Sequence, residues 1–327
     1  MILQLSASSI HPVLPKPKSP DDFEKWDREF TKYMKPYNDL EDELMDSKKY
    51  DFGSRMFMNL GHSESEQFYY FLNKSKALNG HKFYFYPKLE KGEEKFVYAY
   101  IMEPTQGVPE KYWCNDFQNY NSVFLNINSK YPVKAIKELR LRKFTTIKNN
   151  TIYYDNTFII SQALMQKFNR KNFTGLQLNP IKNCSNKKAY ENMYSILPDS
   201  ILPSSCVNIL RSDWQDPKNP DNKALLYEGT LIYTKDALSK LKSFNYPCEA
   251  TKRDSTADII VSKEFKEFCE SEKIKGIDFI PIFTKESKLF EEYVGLVKKL
   301  CNNLIESNPK HVIGYSKIDP QDILDKL

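Results

Sequence analysis

A chain of 327 residues, 40% hydrophobic and 14% aromatic, holds enough apolar material for two ordinary domains with cores of their own. Its 10 glycines argue against fibrous and glycine-rich phosphate-binding architectures, and a net charge of +5, from 48 basic and 43 acidic residues, is too mild to imply nucleic acid by itself. No apolar run approaches the roughly 20 residues of a membrane-spanning helix, and the N-terminus lacks the basic start and sustained apolar segment of a secretory signal, so the expected location is the cytoplasm.

In chain order, the proline-rich first twenty residues are expected to form an extended segment, 1–20, ahead of an N-terminal α+β domain, 21–150, and a C-terminal α+β domain, 151–327. A helix is predicted from SPDDFEKWDREFTKYM, with Ser19 as cap, Pro20 in the first helical position and Phe23, Trp26 and Phe30 as its buried face. From Asp21 to Lys49 acids outnumber bases by ten to six. HSESEQFYYFLNKSKALNG predicts a second helix stopped at Asn79-Gly80, and HKFYFYPKLEKGEEKFVYAYIM two strands around a charged turn. SVFLNI reads as a strand, and YPVKAIKELRLRKF as a short helix or strand. A hairpin is predicted across Asn149-Asn150.

One pattern then occurs twice. NTFIISQALMQKFNRKNFTGLQLNPI, residues 156–181, and ADIIVSKEFKEFCESEKIKGIDFIPI, residues 257–282, superpose without gaps at an offset of 101, which brings Ser161 onto Ser262, Gly175 onto Gly276 and Pro180 onto Pro281. Each predicts a strand, a serine-capped helix and a second strand after a glycine turn. TLIYTKDALSKLKSF suggests a shorter third version, with Thr234 as cap and Leu238 and Leu241 on the helix face. The segment between the two stretches, rich in Pro, Asn and Ser, reads as a long connection with short elements. ESKLFEEYVGLVKKLCNNLIES is an amphipathic helix with Leu289, Tyr293, Leu296 and Leu300 on one stripe. The expected fold is therefore α+β, with antiparallel or mixed sheets, packed helices and repeated strand–helix–strand units in the C-terminal half.

Candidate chemistry is sparse. Ser161 and Ser262 lack the flanking glycines of a nucleophile elbow and read as helix caps. Cys114 with His311 could be imagined as a Cys–His pair, but nothing beyond the residue types supports it. The six cysteines, at 114, 184, 206, 248, 269 and 301, are far apart and no zinc spacing is present, so they read as reduced thiols, and no metal or cofactor is expected. Asp213, Asp216 and Asp221 in RSDWQDPKNPDN lack the calcium-loop pattern and read as a solvated turn. Trp214, with Arg211 and Asp213 beside it, is either an interface anchor or a core residue. From Lys130 to Lys148 seven bases meet one acid, Glu138; Arg140, Arg142 and Lys143 within that run are either a patch for an acidic partner or a solvated face. Arg140 and Arg142 would share one side of a strand. The motifs of P-loop, dinucleotide and zincin sites are missing.

IISQALMQKFNRKNFTGLQLNPI, following a hairpin and a basic segment, resembles a bacterial immunity-protein family of polymorphic toxin systems, whose unit reads apolar strand, Ser, helix, Thr-Gly, strand, Pro. DIIVSKEFKEFCESEKIKGIDFIPI fits the same pattern, and the resemblance covers about Ser122–Pro180 and Asp258–Ile282. It implies a non-enzymatic cytoplasmic protein that binds and neutralises a cognate toxin, with no catalytic residue and no cofactor. A related group adds CxxC pairs; they are missing here, so no metal is carried over. The basic balance is a departure, because inhibitors of basic nuclease toxins are often acidic. The partner-binding residues expected on this reading are Trp214, Arg211, Asp213, Arg140, Arg142 and Lys143. The alternatives are a nucleic-acid-binding protein using the 130–148 stretch, and an enzyme whose acids and bases meet only in the fold.

Overall fold

The computed structural model describes residues 1–9, 20–44, 56–61, 65–114, 120–125, 133–142, 147–207, 211–216, 219–227, 229–248, 258–314 and 317–327. Its elements, in chain order, are β1 (Ile2–Ser9), α1 (Pro20–Leu44), β2 (Met56–Leu60), α2 (Glu66–Ser75), β3 (His81–Lys88), β4 (Ala99–Pro104), β5 (Tyr120–Leu125), β6 (Val133–Leu141), β7 (Tyr153–Tyr154), β8 (Phe158–Ser161), α3 (Gln162–Lys171), β9 (Leu176–Asn183), β10 (Ala189–Pro198), β11 (Arg211–Asp216), β12 (Asn219–Tyr227), β13 (Ile232–Tyr233), α4 (Lys235–Ser239), β14 (Phe244–Asn245), β15 (Ile260–Ser262), α5 (Lys263–Ser271), β16 (Ile277–Thr284), α6 (Lys288–Ser307), β17 (Val312–Ile313) and α7 (Pro320–Leu324). The fold is α+β. The chain divides into two compact units, Met1–Glu90 with Glu291–Leu327, and Lys91–Phe290. The break expected at residue 150 falls inside the second unit, because β6 and β7 on either side of it share one sheet.

In the first unit a four-stranded sheet has the order β17-β3-β1-β2. The segment expected to be extended is, over Ile2–Ser9, an interior strand. Alternation explains it: Leu3, Leu5 and Ala7 of ILQLSASS are all fully buried, a period of two that seats one face of β1 on the core. β1 runs antiparallel to both β2 and β3. α2 buries Phe68, Phe71, Leu72 and Ser75, a helical stripe, and Gly80 beyond it takes a left-handed φ of 88°. α1 forms where predicted, but its predicted face does not bury, since Phe23 is 55% exposed and Phe30 only half-buried, while Leu40 near the other end is buried. Helical spacing marks a stripe without saying what lies against it. Ser19 lies outside the described residues, as does the side chain of Trp26. In α6 the buried stripe is Leu289, Tyr293, Val297, Leu300 and Leu304, with Val297 in the place expected for Leu296.

In the second unit the two strands predicted around Gly92 both exist, but they do not pair: β3 lies in the first unit's sheet and β4 in a five-stranded sheet of order β13-β16-β4-β15-β14. A second sheet has the order β5-β6-β9-β10-β8-β7, and β11 and β12 pair with each other as a separate ribbon. The ambiguous basic segment is a strand, β6. The chain does turn at Asn149-Asn150, with Thr151 N–H on Lys148 O at 3.3 Å, but most of the strand expected ahead of that turn lies outside the described residues. β7 and β8 form a hairpin of their own, where Asp155 N–H reaches Thr157 O at 3.0 Å and Asn156 adopts φ 56°, a conformation asparagine tolerates. Asn150 accepts from Lys275 N–H at 2.9 Å. The long connection expected after Ile181 is mostly strand: β9 continues to Asn183, and β10 becomes an interior strand with Met193 and Ile196 buried. Its prolines and asparagines concealed a short apolar run.

Residues 158–183 and 260–284 each fold as a strand, a helix and a strand. Leu164 N–H donates to Ser161 Oγ at 3.2 Å and Phe265 N–H to Ser262 Oγ at 3.3 Å, each serine being extended ahead of its helix. Each such cap stabilises its helix by about 1 kcal/mol. α3 buries Leu164 and Phe168, and α5 buries Phe265, Phe268 and Cys269. The two helices meet edge-to-face, with Phe168 5.3 Å from Phe265 and Phe244 4.5 Å from Phe265, both between centroids. At 232–245 the strand and cap recur, Ala237 N–H donating to Thr234 Oγ1 at 3.2 Å, and Leu238 is buried while Leu241 is only half-buried. There, however, β13 and β14 lie at opposite edges of their sheet.

Candidate functional site

The expected interface loop around Trp214 is β-ribbon. β11 pairs antiparallel with β12, placing Trp214 opposite Ala224, Asp213 opposite Leu225 and Arg211 opposite Tyr227. Asp213 and Asp216 stand on β11 and Asp221 on β12, in place of the turn read from their sequence. A two-stranded ribbon satisfies backbone groups on one edge only and leaves the other edge available to pair. Among the described residues no three His, Cys, Asp or Glu side chains stand together as a metal site.

The basic run is distributed differently. β6 carries Arg140 between Leu139 and Leu141, which are buried, so strand alternation turns the charge away from the core. Glu138, two residues back on the same face, accepts from Arg140 Nε at 2.9 Å and also pairs with Lys182 of β9. Lys182 first and then Arg140 hold the Glu138 carboxyl below its ordinary range. The guanidinium of Arg140 is therefore already committed to a carboxylate, which weakens the 130–148 stretch as a phosphate-binding strip. Arg142 lies beyond the end of β6, exposed, with its N–H on Tyr112 O at 2.8 Å, so it is not the next strand residue on Arg140's side. Lys143 lies outside the described residues.

Cys114 and Cys184 form a disulfide across a separation of 70 residues, with Cα atoms 5.9 Å apart. This corrects the expectation of six reduced thiols and removes Cys114 as a nucleophile, since only a thiolate attacks. Widely separated cysteines give no spacing signal; the fold brings them together at the ends of β6 and β9, where Cys184 N–H donates to Leu141 O at 3.1 Å. His311, the imagined partner of Cys114, is engaged elsewhere: its Nδ1 accepts His81 N–H at 2.9 Å. Burial pushes the His311 imidazole down to about 4, and burial with the nearby His311 pushes His81 down to about 3. Both rings stand against Phe83, and His81 also against Phe71 at 4.8 Å. They are core histidines held neutral. Asp155, in the β7–β8 turn, is pushed up by burial against a hydrogen bond from Asn156.

A simple chemical test follows from the disulfide. The denatured, unreduced protein should titrate four thiols, and six after reduction. Reduction should also lower stability by about 2–4 kcal/mol, as the closed loop reopens in the unfolded chain. Six thiols before reduction would mean that the pair is not bonded.

Sequence reasoning also missed the exposed aromatics of the second unit. Phe96 and Tyr98 are each 53% exposed and Trp113 41%. Lys95 Nζ stands 4.9 Å above the Phe96 ring. Large exposed aromatics mark interfaces more often than isolated aliphatics do.

No protein family matches the chain, no curated protein is significantly similar to it, and no solved structure is significantly similar in fold.

Proposed function

We propose that the protein is a non-enzymatic inhibitor that binds and neutralises a cognate protein toxin. The observation that carries this reading is the strand–Ser–helix–Gly–strand–Pro unit on which the resemblance to polymorphic-toxin immunity proteins rests, present at 156–181 and 257–282. Its contact surface includes the β11–β12 ribbon with Arg211, Asp213 and Trp214, and the exposed Arg142. Arg140, held by Glu138, contributes less. A standard interface of roughly 1,600 Å² in total would accommodate such a surface. Among the described residues no helix is long and apolar enough to cross a membrane. A cytoplasmic location belongs to the same proposal; the Cys114–Cys184 bond weighs against it, because disulfides persist mainly in oxidising compartments.

The test is an affinity pull-down from the native host, repeated after nuclease treatment. One stoichiometric protein that survives nuclease and is toxic when expressed alone supports the inhibitor reading. Recovery of nucleic acid alone, with affinity falling steeply as salt rises, would replace it with the nucleic-acid reading. Trp214→Ala is expected to weaken partner binding by at least tenfold while leaving the thermal midpoint within about 2 °C of wild type, as for a surface change. A fall of 8 °C or more, on the order of 2–4 kcal/mol or above, would show that Trp214 is a core residue instead.

A further inference from the structure

The two larger sheets of the second unit have one plan. In the first, the order β6-β9-β10-β8-β7 runs parallel, antiparallel, antiparallel, antiparallel; in the second, β13-β16-β4-β15-β14 runs the same way. The register agrees as well as the order. Ile160, Tyr194 and Pro180 stand in one cross-strand row, and Val261, Tyr100 and Pro281 in the corresponding one. Arg140 stands beside Lys182, and Ile232 beside Phe283. Residues of β8, α3 and β9 lie 101 before their counterparts (160 and 261, 182 and 283), and those of β6 lie 92 before (140 and 232).

The exception is the interior strand. β10 fills the middle of the first sheet and β4 the middle of the second, so the counterpart of Tyr100 is Tyr194, 94 residues later. With β5 of the first set and β11, β12 and α4 of the second left aside, chain order becomes regular: β4-β6-β7-β8-α3-β9 is followed by β10-β13-β14-β15-α5-β16, with each leading strand placed in the other set's sheet. The leading segments are alike, since YIMEPTQGVP from Tyr100 and YSILPDSILP from Tyr194 share Tyr and both prolines at the same spacing.

Bonds outside the strands obey the same correspondence. Asp199 N–H donates to Gly175 O and Thr105 N–H to Gly276 O, both at 3.0 Å. Phe244 N–H donates to Thr174 O at 3.0 Å and Ile152 N–H to Lys275 O at 2.8 Å. Within each set, the disulfide sulfur of Cys114 lies 3.3 Å from Arg140 O, a contact without a proton, and the Cys206 thiol 3.4 Å from Ile232 O. In the four backbone bonds named above a residue of one set touches the other set and its counterpart returns the contact, which is the mark of an isologous, two-fold pairing.

We infer that residues 97–285 are two copies of one unit joined in tandem and interlocked by exchange of their leading strands, a single-chain counterpart of a strand-swapped homodimer. Neither copy completes its sheet from its own residues. The copies differ where the first carries Glu138, Arg140 and Lys182 and the second carries Thr230, Ile232 and Phe283, all three of them buried. They differ again where Cys184 of the disulfide has Lys285 as its counterpart. The charged face and the disulfide are thus properties of one copy, not of the shared unit.

Cross-strand NOEs in the selectively labelled full-length protein test the exchange directly. Ile101 should show an NOE to Ile260, and Ser195 to Ile159. NOEs from Ile101 to Ile159 and from Ser195 to Ile260 would place each leading strand in its own copy and overturn the exchange. A protease site inserted between Asn186 and Lys187, in the β9–β10 turn, gives a second readout. After cleavage the two pieces should stay associated on native gel filtration and keep the NOE between Ile101 and Ile260, which now lie on different pieces. Separation into two folded species without denaturant would contradict the interlock.

Discussion

Gly276→Ala is expected to destabilise the protein by about 3 kcal/mol or more. Gly276 holds φ at 90°, a left-handed value that a β-carbon disfavours, and a Cβ there would stand 1.9 Å from Ile152 O. The obstruction is backbone rather than the tip of a flexible side chain. It sits beside two hydrogen bonds, Ile152 N–H to Lys275 O and Thr105 N–H to Gly276 O, so relief by movement would break pairing on both sides. Gly175→Ala should behave alike, since Gly175 has φ 75° and its added Cβ would meet Phe244 O at 2.3 Å. Gly295→Ala is the control: it lies within α6 with nothing in reach of an added Cβ, and should be neutral or stabilising by about 0.5–1 kcal/mol through helix propensity. Urea denaturation of the three variants checks this. Losses below 1 kcal/mol at Gly175 and Gly276 would mean that the turns are not close-packed.

Acidification from pH 7.5 to 5 is expected to remove about 4 kcal/mol of stability through His81 and His311. Their folded values, about 3 and about 4, lie below the ordinary 6.5. Below pH 6.5 the unfolded chain therefore binds protons that the folded chain refuses. The stabilising contribution is complete above 6.5 and is lost progressively as pH falls toward 4 and then 3. Carboxylates held down by partners, such as Glu138, begin to matter only at lower pH, and the Asp155 carboxyl, pushed up by burial, acts in the opposite sense to the histidines. His81→Leu should remove about half of the pH dependence in that interval. An unchanged dependence in that variant would assign it to other groups.

Local features were legible in the sequence and long-range ones were not. Ser161, Ser262 and Thr234 announce caps because a hydroxyl three residues ahead of a helical N–H acts within one turn, and Gly175 and Gly276 announce turns because their backbone excludes a side chain. An offset of 101 was visible for β8-α3-β9 because it contains no gap. The leading strands were not matched to each other, since their offset is 94 and they pair in the other sheet. The Cys114–Cys184 bond and the His81–His311 contact join residues 70 and 230 apart, distances over which composition carries no signal. At the candidate surface residue type alone points to Trp214 and Arg142, while the charge network of Arg140, Glu138 and Lys182 depends on Lys182 arriving from β9.

The most direct test of the proposed function is growth of cells expressing the captured partner with and without this protein. The partner alone should arrest growth, co-expression of the wild-type chain should restore it, and the purified pair should elute as one complex. A partner that is harmless alone, or equally toxic in the presence of a bound wild-type chain, would contradict neutralisation by binding.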